Sequence, residues 1–181
     1  MASALLRGLV ETGALVAGPR GWRVEPLAIA DVSSSSRAAT FLTRRLDLLP
    51  QETLQLLSIG AVLGREFELA MAAQLAGQEP SPAVAALDEA RRRRLVWLRP
   101  DGGRCVFVHD KIRSAVLDRL TAARRQEVHR AAAAYLREHA PESVSGLAYH
   151  FDAAGDSQSA LPYALKAAEQ ARAQHALEIA E

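Results

Sequence analysis

Residues 81–110 read SPAVAALDEARRRRLVWLRPDGGRCVFVHD, and the hydrophobic period changes twice along them. Ser81-Pro82 predicts a helix start, with serine as N-cap and proline at the first helical position, where its missing N–H costs nothing. That helix is expected to run to about Arg94. Leu95–Arg99 and Arg104–Val108 are then predicted strands around Asp101-Gly102-Gly103, and an Asp-Gly turn between alternating apolar runs signals a β-hairpin. Val108-His109-Asp110 leads out of the second strand into a helix over Lys111 to Leu120. Asp110 is its predicted N-cap, and Ile112, Ala115, Val116 and Leu120 share a face.

Working toward the N-terminus, Gln51 to Leu63 is apolar nearly all round (Leu54, Leu56, Leu57, Ile59, Val62, Leu63), which predicts a central core helix with Gly64 as its C-cap. Glu68 to Ala76 reads as a short helix stopped by Gly77. A further helix begins near Arg37, with Ala38, Phe41, Leu42, Leu46 and Leu49 on one face, and ends before Pro50. Three helices followed by a two-stranded hairpin give residues 37–120 a winged-helix outline. Before them lie a short helix over Ser3–Thr12, a small hairpin formed by Ala14–Ala17 and Trp22–Glu25 around Gly18-Pro19-Arg20-Gly21, and a linker over Pro26–Ser36.

Beyond Thr121 everything reads as helix. Val128, Ala132, Tyr135 and Leu136 stripe one helix, which Pro141 ends. Ser143 to Ala154 and a long helix from Ser157 to the last residue flank a Gly155-Asp156 break, and Pro162 is expected to kink the last helix or mark its true start. The small residues Ala164, Ala167, Ala168 and Ala171 suit close stacking of a helical-hairpin repeat. One such hairpin cannot bury its own face, so residues 121–181 are expected to be a truncated start of an α-solenoid. The expected fold class is mainly α: a winged-helix domain with small β-hairpins, then α-helical hairpin repeats.

Composition agrees and excludes much. Ala occurs 36 times and aromatics make up 5% of the 181 residues, which favours helix over an extensive sheet. A formal net charge of +1 gives no global attraction to nucleic acid or anionic membrane. The single cysteine, Cys105, can form neither an internal disulfide nor a cysteine-rich zinc site. Apolar runs fall short of a membrane span, and Arg7 and Glu11 interrupt the N-terminal segment, so the expectation is a cytoplasmic protein without a signal peptide.

The chemistry of complete active sites is missing. A phosphate-binding loop needs glycines followed by Lys-Ser/Thr, but the two lysines, Lys111 and Lys166, follow Asp110 and Leu165. No Gly-x-Gly-x-x-Gly, His-Glu-x-x-His or Gly-x-Ser-x-Gly occurs, and the five histidines show no metal-ligand spacing. The chain is therefore read as non-catalytic, with no metal and no cofactor of its own. Two polar features stand at special places. His109, where a strand passes into a helix, can donate a hydrogen bond to a phosphate near the helix N-terminus, or can simply fill the junction while Asp110 caps the helix. Arg91, Arg92, Arg93 and Arg94 close the helix that a winged-helix DNA reader would place in the groove. They can equally complement the helix macrodipole in solvent, with Asp88 and Glu89 one turn earlier repelling phosphates.

Leu46-Asp47-Leu48-Leu49-Pro50, then Ala61-Val62-Leu63-Gly64-Arg65-Glu66-Phe67, then Phe107-Val108-His109-Asp110-Lys111-Ile112-Arg113 resemble the region after the ATPase core of STAND signal-transduction ATPases. This is the class of large bacterial regulators related to the maltose-regulon activator and LuxR-type regulators. The resemblance implies that residues 1–36 are the remnant of the end of an NTPase module plus a linker. It further implies a helical lid and winged helix over 37–120, and the first part of a tetratricopeptide-like superhelix over 121–181. Val108-His109-Asp110 is similar to the Met-His-Asp motif of related nucleotide switches, with valine in place of methionine, which implies that His109 senses the phosphate of bound ADP. The P-loop and Walker B acids are absent, so ATP or ADP would belong to a longer parent protein. The implied partners are an upstream NTPase module, downstream repeats and proteins that use the repeat surface; DNA and membrane are not expected for this segment. The competing expectation is a stand-alone winged-helix DNA-binding transcription factor with Arg91 to Arg94 at the groove.

Overall fold

The computed structural model describes residues 15–18, 21–24, 46–100 and 103–180. The chain separates into two compact units, Met1–Leu48 and Leu49–Glu181. In the first, strands β1 (Leu15–Gly18) and β2 (Gly21–Val24) pair antiparallel in the register Leu15↔Val24 to Gly18↔Gly21, the hairpin expected from the Gly18 and Gly21 flanks. The expected helix over Ser3–Thr12, the linker over Pro26–Ser36 and the start of the helix from Arg37 lie outside the described residues.

The second unit opens with helix α1 (Gln51–Leu63), whose Leu56, Leu57, Ile59, Ala61 and Val62 are all buried. A helix apolar on nearly every side must sit inside its neighbours, and α1 packs against five other elements: β3 (Glu66–Glu68), α2 (Leu69–Ala76), α3 (Pro80–Arg92), α4 (Asp110–Leu117) and α5 (Ala122–His139). Gly60 faces the Phe67 ring so closely that an added Cβ would lie 2.6 Å from it. Glycine there lets the sheet approach α1.

The sheet is three-stranded where the sequence predicts two strands. Strands β4 (Val96–Leu98) and β5 (Arg104–Phe107) form the expected hairpin, and β3 pairs antiparallel on the other edge of β5, giving the order β3-β5-β4. The register runs Glu66↔Val106 to Glu68↔Arg104 on one side and Val96↔Phe107 to Leu98↔Cys105 on the other. Three residues, Glu-Phe-Glu, are too few for a period-two signal, which needs about 4–8 positions. Phe67, Cys105 and Phe107 face the core, with the two phenyl rings 5.6 Å apart. The tip of the β4–β5 turn, Asp101-Gly102, lies outside the described residues.

Two helix caps differ from expectation, and α2 starts at Leu69 because Glu68 belongs to β3. Helix α3 begins at Pro80, after Glu79, so Ser81 is already helical and Pro80 rather than Pro82 takes the first position. Both prolines fall in the first turn, where no intrahelical N–H is required. The second correction, at α4, bears on the candidate site and is treated with it.

Helices α5, α6 (Val144–Ala153) and α7 (Ser157–Ala180) pack in succession, α5 on α6 and α6 on α7. Ala133, Leu147, Phe151 and Ala160 form their common core, with Leu136 and Tyr163 against it and the Phe151 and Tyr163 rings stacked 5.7 Å apart. Asp156 accepts the Ser159 N–H at 3.0 Å, the bond of an N-cap, so α7 starts at Ser157 and not at Pro162. The proline lies inside the helix. Among the described residues no helix is long and apolar enough to cross a membrane.

Candidate functional site

The passage from β5 into α4 is pinned from two sides. The Phe107 N–H donates to the Arg65 carbonyl and the Val108 N–H to the Leu95 carbonyl, both at 3.0 Å, so the chain stays extended through His109 (φ −149, ψ 141). An N-cap is the last non-helical residue before a helix. That residue is His109, and the expected cap, Asp110, is displaced into the first turn. The His109 Nδ1 accepts the Lys111 N–H at 3.2 Å. Such an acceptor places the proton of the neutral ring on Nε2, and that N–H engages none of the described residues. Asp110 lies 3.4 Å from the Arg65 Nε in an exposed pair, its charge favourable at a helix N-terminus. Arg113, one turn on, donates from Nε to the Ala61 carbonyl at 2.8 Å, satisfying one of the orphan carbonyls at the end of α1.

The arginine run sits at the far end of α3 and is largely neutralised by its own helix. Arg91 pairs with Asp88 at 3.1 Å, Arg92 with Glu89 at 2.6 Å, and Arg93 reaches the other Glu89 oxygen. Hydrogen bonds from Arg93 and then Arg92 hold the Glu89 carboxyl below its ordinary pKa. Arg94 is different. The Arg94 N–H donates to the Arg91 carbonyl and the Leu95 N–H to the Ala90 carbonyl, a Schellman closure that puts Arg94 at φ 55. The same closure ends α2 at Gly77 and α6 at Gly155, the usual residue for that conformation. The Arg94 guanidinium engages none of the described residues.

Arg91, Arg92 and Arg94, with Asp88, Val96, Trp97, Leu98 and Val108, line an open hollow of about 700 Å³. The candidate residues are thus gathered only in part: Val108 lines the hollow, whereas Arg93 turns back to Glu89 and His109 is not in the lining. Trp97, 45% exposed in the middle of β4, is a residue of the hollow that in the sequence is indistinguishable from any other strand position.

A second polar cluster has no counterpart among the sequence expectations. His129 on α5 and His150 on α6 are buried, and their Nδ1 atoms lie 2.9 Å apart. Tyr149 meets the His129 ring edge-on at 5.4 Å. Burial, then the neighbouring His129, pushes His150 down to about 4, and burial with the Arg113 charge lowers His129. Their only signal in the sequence is that His129 follows Val128 and His150 precedes Phe151 on apolar faces.

Among the described residues no cluster of three or more His, Cys, Asp or Glu side chains is placed to hold a metal ion. The buried Cys105 thiol is pushed up to about 11 by burial, so it stays protonated and unreactive at neutral pH. No protein-family model matches the chain, and no curated protein matches it.

Proposed function

We propose that this chain is a non-catalytic regulatory segment of a STAND-type ATP-dependent switch, a winged helix followed by the first hairpin of a helical superhelix. Support comes from the element order α1-β3-α2-α3-β4-β5 with sheet order β3-β5-β4, that of a winged helix. The successive packing of α5, α6 and α7 suits the opening of a superhelical array. The observation that carries the reading is His109. Its Nδ1 is committed to the backbone of α4, which directs a single N–H donor outward at a strand-to-helix exit. Toward a nucleotide, the described residues fit a single role, one donor to a phosphate oxygen with no cradle of backbone N–H groups around it. Binding and turnover of ATP would therefore belong to an NTPase module elsewhere in the parent, with this segment reading its nucleotide state.

The DNA-binding alternative loses support, because three of the four arginines at the end of α3, Arg91, Arg92 and Arg93, pair with Asp88 and Glu89, and both carboxylates would face the phosphates.

The test is made in the parent protein carrying its NTPase module. His109→Ala removes both the cap and the outward donor, whereas His109→Asn keeps a capping side chain and loses the imidazole. Both variants should release ADP faster and raise basal output, while only the alanine variant loses thermal stability. A charge-assisted hydrogen bond of about 1.5–3 kcal/mol corresponds to roughly a ten- to hundred-fold shift. ADP release at the parental rate in the asparagine variant would reduce His109 to a helix cap.

A further inference from the structure

We infer that the hollow at the C-terminal end of α3 is a docking site for an acidic segment of a partner protein, anchored by Arg94 and Trp97. Arg91, Arg92 and Arg94 line it with one lining carboxylate, Asp88, while Glu89 holds Arg92 and Arg93. Arg91 and Asp88 are both about half exposed, so an incoming carboxylate can take the place of Asp88. Arg94 needs no exchange, since its guanidinium is already unengaged among the described residues. Its backbone adds a second observation: at the position where α2 and α6 carry Gly77 and Gly155, α3 carries an arginine in a left-handed conformation. Beside it, the exposed Trp97 and the half-buried Val108 supply apolar lining.

Arginine and tryptophan are the side chains on which protein-interface energy concentrates, because each combines a large apolar surface with a directional polar group. The hollow is open, which suits an extended chain lying across it. An extended segment alternates its side chains, so one acidic residue can reach Arg94 while its neighbours but one cover the arginines or Trp97. Duplex DNA fits less well: Asp88 and Glu89 sit among the arginines, and a continuous phosphate backbone cannot avoid them. This inference stands apart from the nucleotide-sensing reading of His109, which does not line the hollow.

The chain has two tryptophans, so Trp22→Phe leaves Trp97 as the sole tryptophan reporter, excited selectively over the tyrosines. The probes are a short capped peptide alternating glutamate with leucine, its lysine–leucine counterpart, and a short DNA duplex, all at near-physiological salt. The acidic peptide should change Trp97 emission saturably and the basic peptide should not. Arg94→Gly should weaken acidic-peptide binding about three- to ten-fold. Glycine suits the left-handed backbone, so the variant keeps or gains thermal stability and the loss cannot be attributed to misfolding. Equal responses to both peptides, no saturable response to the acidic one, or undiminished binding by Arg94→Gly would each overturn the inference. Tighter binding to the duplex than to the acidic peptide would overturn it too, assigning the patch to phosphates.

Discussion

The sheet-bearing part of the second unit and its three-helix part bury different things. Around α1 the interior is made of large apolar side chains: Leu56, Leu57, Val62, Phe67, Leu95 and Phe107. Between α5, α6 and α7 it is a smaller cluster, Ala133, Leu147, Phe151 and Ala160, and a buried histidine pair joins α5 to α6. The difference teaches how each part fails. A core of large side chains is sensitive to lost volume and indifferent to pH. A core with two buried imidazoles keeps the hydrogen bond between them only while at least one ring stays uncharged, and burial disfavours charging either.

Phe107→Ala should give the largest effect. The ring is fully buried against Phe67, and removing it leaves a cavity at the centre of the sheet–helix interface, costing about 3–5 kcal/mol. Denaturant melts of the variant at neutral pH measure it. A loss below the cost of an ordinary surface change would mean that this core is loosely packed.

Acid should cost somewhat less and act on the other part. A hydrogen bond between two Nδ1 atoms needs one donor and one acceptor, so double protonation opposes two N–H groups at 2.9 Å. The folded pKa of His150 lies below the unfolded value, so the unfolded chain binds more protons between the two. Stability is complete above about pH 6.5 and falls as pH drops toward about 4, by roughly 3 kcal/mol. Arg113 from α4, also facing His129, acts in the same direction. His129→Leu with His150→Leu should flatten the melting temperature between those pH values. An unchanged slope in the double variant would place the acid sensitivity elsewhere.

Helix ends give smaller effects. His109→Ala should lower stability by about 1 kcal/mol through the lost cap, and His109→Asn should restore most of it. Equal losses in the two variants would show that the ring packs rather than caps. Smallest is a gain: Arg94→Gly should relieve the left-handed arginine, offset in part by the greater freedom of glycine in the unfolded chain, for a net rise of about 0.5 kcal/mol. A fall in melting temperature would mean that the arginine side chain holds the end of α3.

Much of the fold is legible in the sequence, for reasons that differ by element. Helix α1 is legible because Pro50 and Gly64 punctuate a run apolar on nearly every side. The β4–β5 hairpin is legible from its alternation and turn. Strand β3 is not: Glu66-Phe67-Glu68 becomes a strand only because β5 offers an unpaired edge beside it. The cap of α4 falls on His109 rather than on Asp110, the ordinary capping residue type, and the choice is made by how far β5 stays paired. Of the candidate site, the arginine run and His109 are visible as residue types at special places, while Trp97 and the histidine pair have no sequence signal beyond apolar neighbours.

By itself the sequence determined the local alternatives: where helices start and stop, which faces are apolar, and that the chain has neither a phosphate loop nor a metal-binding spacing. These depend on neighbours within a few residues, and the chain carries them wherever it goes. Only the tertiary structure decided which alternative is realised and which distant groups meet. It brought His129 against His150, set Arg113 on the carbonyl of Ala61, and gathered Arg94, Trp97 and Val108 around the hollow. The physical reason is that burial and pairing energies are set by the groups that arrive from elsewhere in the chain. A histidine or an arginine carries no mark of whether its partner will be water, a carboxylate or another ring.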